Sequence, residues 1–464
     1  MKRVLKSMLD ALEVIKQILI VLFWICEVYV LYFVFLYIVG FIFHKQKYPI
    51  VEDKEKFCVF VPCHNEGPVV AATVENYTHI EYNEDLYDIY FIADNCSDDT
   101  ANILKEAIKK SGKKNFHVLV RNVKDINKRG KPHALRWAID SLESQNKFYA
   151  YYDMMIIFDA DNFVDPDILR HVNSQYLSIK PKRRPVMIQC YLDSKNHNSL
   201  IARGYFQAYR VTNAFWQISK QKLHLTPAIG GTGFAATTEF LKSIGGYSCV
   251  SLTEDLEIQT IATLKNKRVE YNGNVRIYDE KPTKIKASFV QRTRWAQGHW
   301  YLFFKYVPLL FIQLFNPITI KYFFKKLDMI VYLAARLFGI ISSITILLNI
   351  FYIIACLVMG IDSAYVPVWA SWMNIGILIL TIAVIPLSSL YDGSKEEKRR
   401  IFKDLIPNII GIYLVGLIDM IIGYPALFMC GNQKVWRKTT HSVTSLDKSI
   451  GHQENKNEVQ KARV

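Results

Sequence analysis

A chain of 464 residues, 51% of them apolar, is long enough for a sizeable globular domain and a membrane part together, since single domains usually run ~100–250 residues. The formal net charge of +15 points to an anionic partner: nucleic acid, an acidic membrane surface or a phosphorylated small substrate. Much of the excess borders apolar runs, at Lys2-Arg3, Lys395 to Arg400 and Lys434 to Lys438, where juxtamembrane charge fixes topology. No zinc-finger spacing or basic repeat speaks for nucleic acid. The eight cysteines are scattered without a Cys-x-x-Cys pair, which argues against a disulfide framework and for a reducing, cytosolic setting of the middle domain.

Residues 17–43 are almost wholly apolar, ample at ~1.5 Å per residue for a ~30 Å hydrocarbon layer. Lys2, Arg3 and Lys6 precede them as in a signal peptide, but the run is too long for an h-region and no small-residue cleavage site follows, so a retained anchor is expected. Glu27 inside it should face protein or a cavity rather than lipid.

From Phe57 the pattern changes to short apolar strands alternating with amphipathic helices. Strands are predicted at 57–61, 89–93, 117–120 and 154–158, and helices at 68–78, 100–111 and 132–144, with Asp98 and Asp99 at the positive end of the second helix. This rhythm implies an α/β fold with a mostly parallel sheet, helices on both faces and ligands beyond the carboxyl ends of the strands. Asp94 and Asp159 both fall there.

After Trp300 the sequence turns apolar again. Residues 300–315 read as an interfacial helix, and about 329–358, 367–390 and 405–430 as membrane-embedded spans. The expected organisation is a membrane anchor (1–50), a sheet domain (51–300), interfacial helices (301–326), a transmembrane region (327–431) and a polar, flexible tail (432–464). One crossing by each span cannot place residues 57–300, 392–404 and 434–438 on one side. Either 405–430, broken by Pro407, Gly423 and Pro425, is re-entrant or a short hairpin, or one basic segment lies outside.

Three groups of residues carry chemistry. Asp159-Ala160-Asp161 ends a buried strand and brings two carboxylates to one point, the kind of oxygen donor that holds Mg²⁺ or Mn²⁺ beside substrate phosphates, although two surface aspartates at a strand end are also common. Thr253-Glu254-Asp255 could present a carboxylate to an attacking hydroxyl or simply cap a helix, and both can hold at once. Gln291-Arg292-Thr293-Arg294-Trp295 combines guanidinium groups suited to phosphate with an indole suited to a sugar ring; read alone, it better fits arginines on lipid phosphates with a tryptophan at the interface.

Taken together these elements resemble the family 2 inverting glycosyltransferases, in the membrane-integrated branch containing cellulose, chitin and hyaluronan synthases. The matching segments occur in family order: Val61-Pro62-Cys63-His64-Asn65-Glu66, Ala93 to Thr100, Arg129-Gly130-Lys131, the Asp159 pair, Gly230-Gly231-Thr232-Gly233-Phe234, Thr253-Glu254-Asp255 and Gln291 to Trp295. The resemblance covers about 57–300 closely and the flanking spans only in general layout. It implies a GT-A type sheet domain inserted between transmembrane helices of a multi-pass cell-membrane protein, with the catalytic domain cytosolic.

The resemblance also implies roles. Asp94 would bind the uracil of a UDP-sugar, with Asn65 and Glu66 lining the nucleotide pocket and Lys131 meeting the diphosphate. Asp159 would lie near the nucleotide and share a Mg²⁺ or Mn²⁺ ion with Asp161, the main metal ligand. Asp255 would be the general base. Gly231 and Gly233 would border the acceptor, and Gln291, Arg294 and Trp295 would contact the diphosphate and the terminal acceptor sugar. The implied reaction is one in-line displacement that turns an α-linked UDP-sugar into a β-linked product. It either extends a polysaccharide that crosses the membrane or adds one sugar to a lipid or polymer acceptor. The sequence also leads us to expect no built-in second-messenger domain behind the membrane part.

Overall fold

The computed structural model describes residues 2–249, 251–393, 395–399, 401–433 and 441–445. A first helix, α1 (Lys2–Ile42), leads into a domain with eight strands: β1 (Phe57–Cys63), β2 (Tyr87–Asp94), β3 (Phe116–Arg121), β4 (Met154–Ile157), β5 (Phe163–Val164), β6 (Met187–Ser194), β7 (Phe234–Thr237) and β8 (Val269–Asp279). Between them lie α2 (Gly67–Thr78), α3 (Thr100–Ser111), α4 (Lys131–Glu143), α5 (Ile168–Ser178), α6 (Leu200–Val211), α7 (Ile218–Lys222), α8 (Thr238–Ser243) and α9 (Glu254–Leu264). Then follow α10 (Ile285–Leu314), α11 (Phe323–Leu333), α12 (Ala335–Met359), α13 (Val368–Asp392), the short α14 (Lys395–Arg399) and α15 (Ile401–Met429).

One sheet holds all eight strands in the order β3-β2-β1-β4-β7-β6-β8-β5. The first four pair in parallel, as the βαβ rhythm requires, whereas β7 runs antiparallel to both β4 and β6 and makes the sheet mixed. Strand alternation distributes β1 between two cores. Phe57, Val59 and Val61 pack with Val70, Val74 and Tyr77 of α2 on one face, and Cys58 and Phe60 with Leu135, Ala138 and Ile139 of α4 on the other. Because β1 sits between β2 and β4, the chain leaves it in opposite directions, and the carboxyl ends of β2 and β4 open a crevice that receives Asp94 and Asp159. All eight cysteines are free.

Among the described residues, four helices are long and apolar enough to cross a membrane: Lys6–Ile42 within α1, then α12, α13 and Phe402–Met429 within α15. Glu27 on α1 is buried, as expected of a carboxylate in an apolar run. The segment expected as one span over 329–358 is instead divided, because α11 ends at Leu333 and α12 begins at Ala335. Residues 300–315 are likewise no separate interfacial helix. They continue a helix that starts at Ile285 and carries the Gln291–Trp295 motif.

Polar contacts seat these helices on the sheet domain. Lys220 of α7 pairs with Asp328 of α11 at 3.0 Å, and the Tyr32 hydroxyl of α1 donates to the same buried carboxylate. Tyr391 near the end of α13 donates to the Phe43 carbonyl at 2.9 Å, which puts the ends of α13 and α1 side by side. α15 meets the sheet domain at both of its ends. Arg203 on α6 pairs with Asp404 in its first turn (3.1 Å), and Gln433 just past its last turn accepts from the Leu252 amide (2.9 Å). Between these points Gly411 lies on Gly204 so closely that a Cβ on Gly411 would come 2.6 Å from the Leu200 carbonyl oxygen. Trp300 of α10 donates to the Gly423 carbonyl at 3.0 Å.

Candidate active site

The crevice is a cavity of about 800 Å³ that runs from Asp94 past Asp159 and Asp255 to Trp295, Tyr332 and Arg336. At its first end Asp94 is buried and already engaged: Arg121, closing β3, donates to it at 2.6 Å, and the Gly130 amide approaches its other oxygen at 3.4 Å. Arg121 therefore fixes the carboxylate expected to read a base. Glu66 lines this end, but Asn65 does not. Asn65 takes a left-handed conformation (φ 55°), and its carbonyl oxygen accepts from the amides of Ser97 (2.6 Å) and Asp98 (3.3 Å). It braces the loop after β2 instead of lining the pocket, because a short amide side chain can satisfy two turn amides at once.

At the centre, Lys131 opens α4 behind Gly130 (φ 104°). Its ammonium lies 2.5 Å from Asp159, 2.7 Å from the Gly231 carbonyl and 3.8 Å from Glu254. Gly231 (φ 78°) leaves room for Asp255, whose carboxylate oxygen would lie 3.1 Å from a Cβ placed there. Gly233 also needs its left-handed φ of 62°, but it backs onto Ile277 rather than the cavity, so its expected place beside an acceptor is not where the chain puts it.

Glu254 and Asp255 open α9. Burial raises Glu254 to about 7 despite the opposing charges of Lys131 and Arg294, and burial also raises Asp255. The capping role open to Thr253 is not taken: among the described residues its buried hydroxyl has no hydrogen-bond partner. That hydroxyl instead faces Gly298 on α10, where any Cβ would fall 2.4 Å from it. This close approach sets Gln291, Arg294 and Trp295 against the start of α9. Arg294 donates to the Leu252 carbonyl at 3.3 Å, and the Trp295 ring packs on Tyr205 at 6.2 Å.

Asp161 is buried and accepts from the Glu280 amide at 2.8 Å. Burial pushes its carboxyl up, and the charges of His441 and Lys195 more than offset this, holding it below the ordinary value. Asp279, at the end of β8, is raised to about 6 by burial. The part of the tail that is described, 441–445, does not hang free. His441 binds Glu66 at 3.1 Å, and the amides of Ser442 and Val443 both donate to Glu280 at 2.8 Å. Buried Lys195 donates to the Val443 carbonyl at 3.1 Å. Arg121, Lys195, Asp279, Glu280 and His441 escaped the sequence reading because no local pattern links them to the motifs. The pairing of β3 with β2 brings in Arg121, and the closing of β8 next to β6 and the return of the tail after α15 bring in the others.

The carboxylates of Asp159 and Asp161 are donors suited to a hard divalent cation such as Mg²⁺ or Mn²⁺. Among the described residues, no three His, Cys, Asp or Glu side chains gather in a metal-holding group, so a cation here would draw further oxygens from water or phosphate.

A sheet of this order, with carboxylates gathered where its parallel half ends, is the GT-A type of glycosyltransferase domain. The chain belongs to the glycosyltransferase-like family 2, whose model matches residues 55–298, more than half of the sequence. It is 26% identical over 252 residues to a beta-monoglucosyldiacylglycerol synthase of Trichormus variabilis, covering 54% of this chain and 50% of that one. It is 25% identical over 272 residues to a poly-beta-1,6-N-acetyl-D-glucosamine synthase of Staphylococcus aureus, covering 58% and 60%. The chain thus spans about half the length of the first relative and three-fifths of the second. Among solved structures, a mannosyltransferase of Pyrobaculum calidifontis in complex with GDP-mannose and Mn²⁺ superposes with a TM-score of 0.52 at 17% identity, covering 86% of this chain and 99% of that one.

Proposed function

We propose that this chain transfers a hexosyl unit from a UDP-sugar to a saccharide hydroxyl with inversion, extending a β-linked glycan at the membrane. One observation supports this above the others: a single cavity joins Asp94, the Lys131–Asp159 pair, Asp255 and Trp295. In this reading Asp94, held by Arg121, receives the base, and Lys131 exchanges part of its contact with Asp159 for the donor diphosphate. Trp295 supports the terminal acceptor sugar. Asp255 takes the proton of the acceptor hydroxyl; the oxygen then forms its bond to the anomeric carbon as the bond from that carbon to the diphosphate breaks, and UDP leaves with the electron pair. Asp159 and Asp161 would hold the divalent cation, with water or phosphate oxygens completing its shell, and when bound it neutralises charge developing on the diphosphate. Asp255→Asn should lower turnover by about 10²–10⁴-fold while UDP binding persists; loss of UDP affinity instead would move Asp255 into a binding role.

For the membrane part we infer that α1, α12 and α13 cross the bilayer and α15 does not. A crossing helix leaves its ends on opposite faces of a ~30 Å layer, whereas both ends of α15 contact the sheet domain. The sheet domain, the basic segment 395–399 and residues 441–445 then share the cytosolic side, and the start of α1, with Lys2 and Arg3, lies on the other.

A second reading, single addition to a lipid, draws support from the likeness to a glucosyldiacylglycerol synthase and from the far cavity wall at the first turn of α12. Product length in membranes fed labelled UDP-sugar separates the two: long chains favour extension, and mono-glycosylated lipid alone favours the second.

A further inference from the structure

His299 lies outside the Gln291–Trp295 motif, yet it follows Trp295 by one helical turn on α10 and lines the same cavity. Its Nε2 sits 3.0 Å from the Tyr332 carbonyl and 3.1 Å from the Leu333 carbonyl. These belong to the last turn of α11, where carbonyls lack partners within the helix. Carbonyl oxygens only accept, so Nε2 carries the proton, and in the neutral ring Nδ1 is a bare acceptor. Among the described residues Nδ1 has no hydrogen-bond partner. The wall around it is aromatic and polar. The Tyr332 ring stands edge-on at 5.8 Å, and Arg336 lines the same end, its guanidinium 2.5 Å from Asp419.

From Trp295 to His299 is ~6 Å along the helix, a step comparable with one sugar residue in a chain. An acyl chain at this wall would bury the imidazole acceptor without giving it a partner, which is unfavourable. A second sugar ring would offer a hydroxyl to Nδ1 and a face to Tyr332. We infer that His299 binds the penultimate sugar of the acceptor, so that the acceptor is a saccharide of two or more linked sugars rather than a lipid alcohol. This rests on the proposed transfer to a saccharide at Trp295.

The test uses the full chain in lipid nanodiscs, with labelled UDP-glucose and UDP-N-acetylglucosamine as donors. Acceptors are the β-linked monosaccharide glycoside and disaccharide of the same sugar. The wild type should show a KM for the disaccharide about tenfold below that for the monosaccharide. His299→Ala should bring the two values together, and His299→Gln, whose amide can both donate and accept, should restore part of the difference. Equal KM values for both lengths in the wild type would overturn the inference without recourse to any variant. So would a His299→Ala variant whose KM rises alike for both acceptors and for the donor, the mark of a purely structural role. Transfer only to diacylglycerol added to the nanodiscs would overturn it and leave sugar transfer standing, whereas no UDP release from either donor would overturn the proposed function as well.

Discussion

Lys131 and Asp159 meet at 2.5 Å across the mouth of the parallel half-sheet, the lysine opening α4 and the aspartate following β4. The same ammonium balances Glu254 and, through Gly231, holds the loop that passes over Asp255. Lys131→Met would leave those carboxylates facing one another with only Arg294 to offset them. Removing one partner of a fully buried pair costs about 3–5 kcal/mol; because Asp159 is partly open to the cavity, about 2 kcal/mol is expected here. Thermal unfolding in detergent should show the drop, and the donor KM should rise.

The raised Glu254 and Asp255 give activity and stability opposite pH trends. A base must be ionised to act, so turnover should fall as pH drops sooner than an ordinary carboxylate would impose. Both groups bind protons more readily folded than unfolded, so their contribution to stability is complete below their unfolded values. It is withdrawn as pH rises, for Glu254 between about 4.5 and about 7. Since the two titrate as a pair, Glu254→Gln should shift the acid limb of the turnover profile to lower pH.

Gly298 is where α10 touches the start of α9. In Gly298→Ala the new methyl would meet the Thr253 hydroxyl and amide, the latter at 2.9 Å. Overpacking of this kind costs about 1–3 kcal/mol, and it should displace Trp295 relative to Asp255, lowering turnover more than donor binding. Adding Thr253→Ala should recover part of the loss, as kinetics of the single and double variants would show.

The placement of α15 is open to labelling. A single cysteine introduced at Ala364, between α12 and α13, should react with a membrane-impermeant maleimide added outside intact cells, whereas a reporter fused after Val464 should be active only in the cytosol. An active external reporter would make α15 a crossing helix.

Chelation and substitution separate the metal question from folding. Asp161→Asn should abolish activity with membrane insertion intact, and EDTA should do the same to the wild type until Mg²⁺ or Mn²⁺ is restored.

Much of this architecture was legible in local pattern. The apolar runs of β1 to β4 and the helices between them follow from burial on both faces of a parallel sheet, and Asp94 and Asp159 sit at strand ends for that reason. The second half of the sheet was not legible: β7 is short, and its antiparallel course depends on packing between β4 and β6 rather than on its own sequence. Capping chemistry at Thr253 misled, because tertiary contact with Gly298 took the hydroxyl's place. Lys195, Glu280 and His441 were invisible as a group, since their meeting depends on the whole fold.

The most direct test is the configuration of the first linkage made from an α-linked UDP-sugar, read by NMR before any further reaction. A β-linked product is expected from one displacement assisted by Asp255. An α-linked product would contradict it, because a single in-line displacement inverts the anomeric carbon.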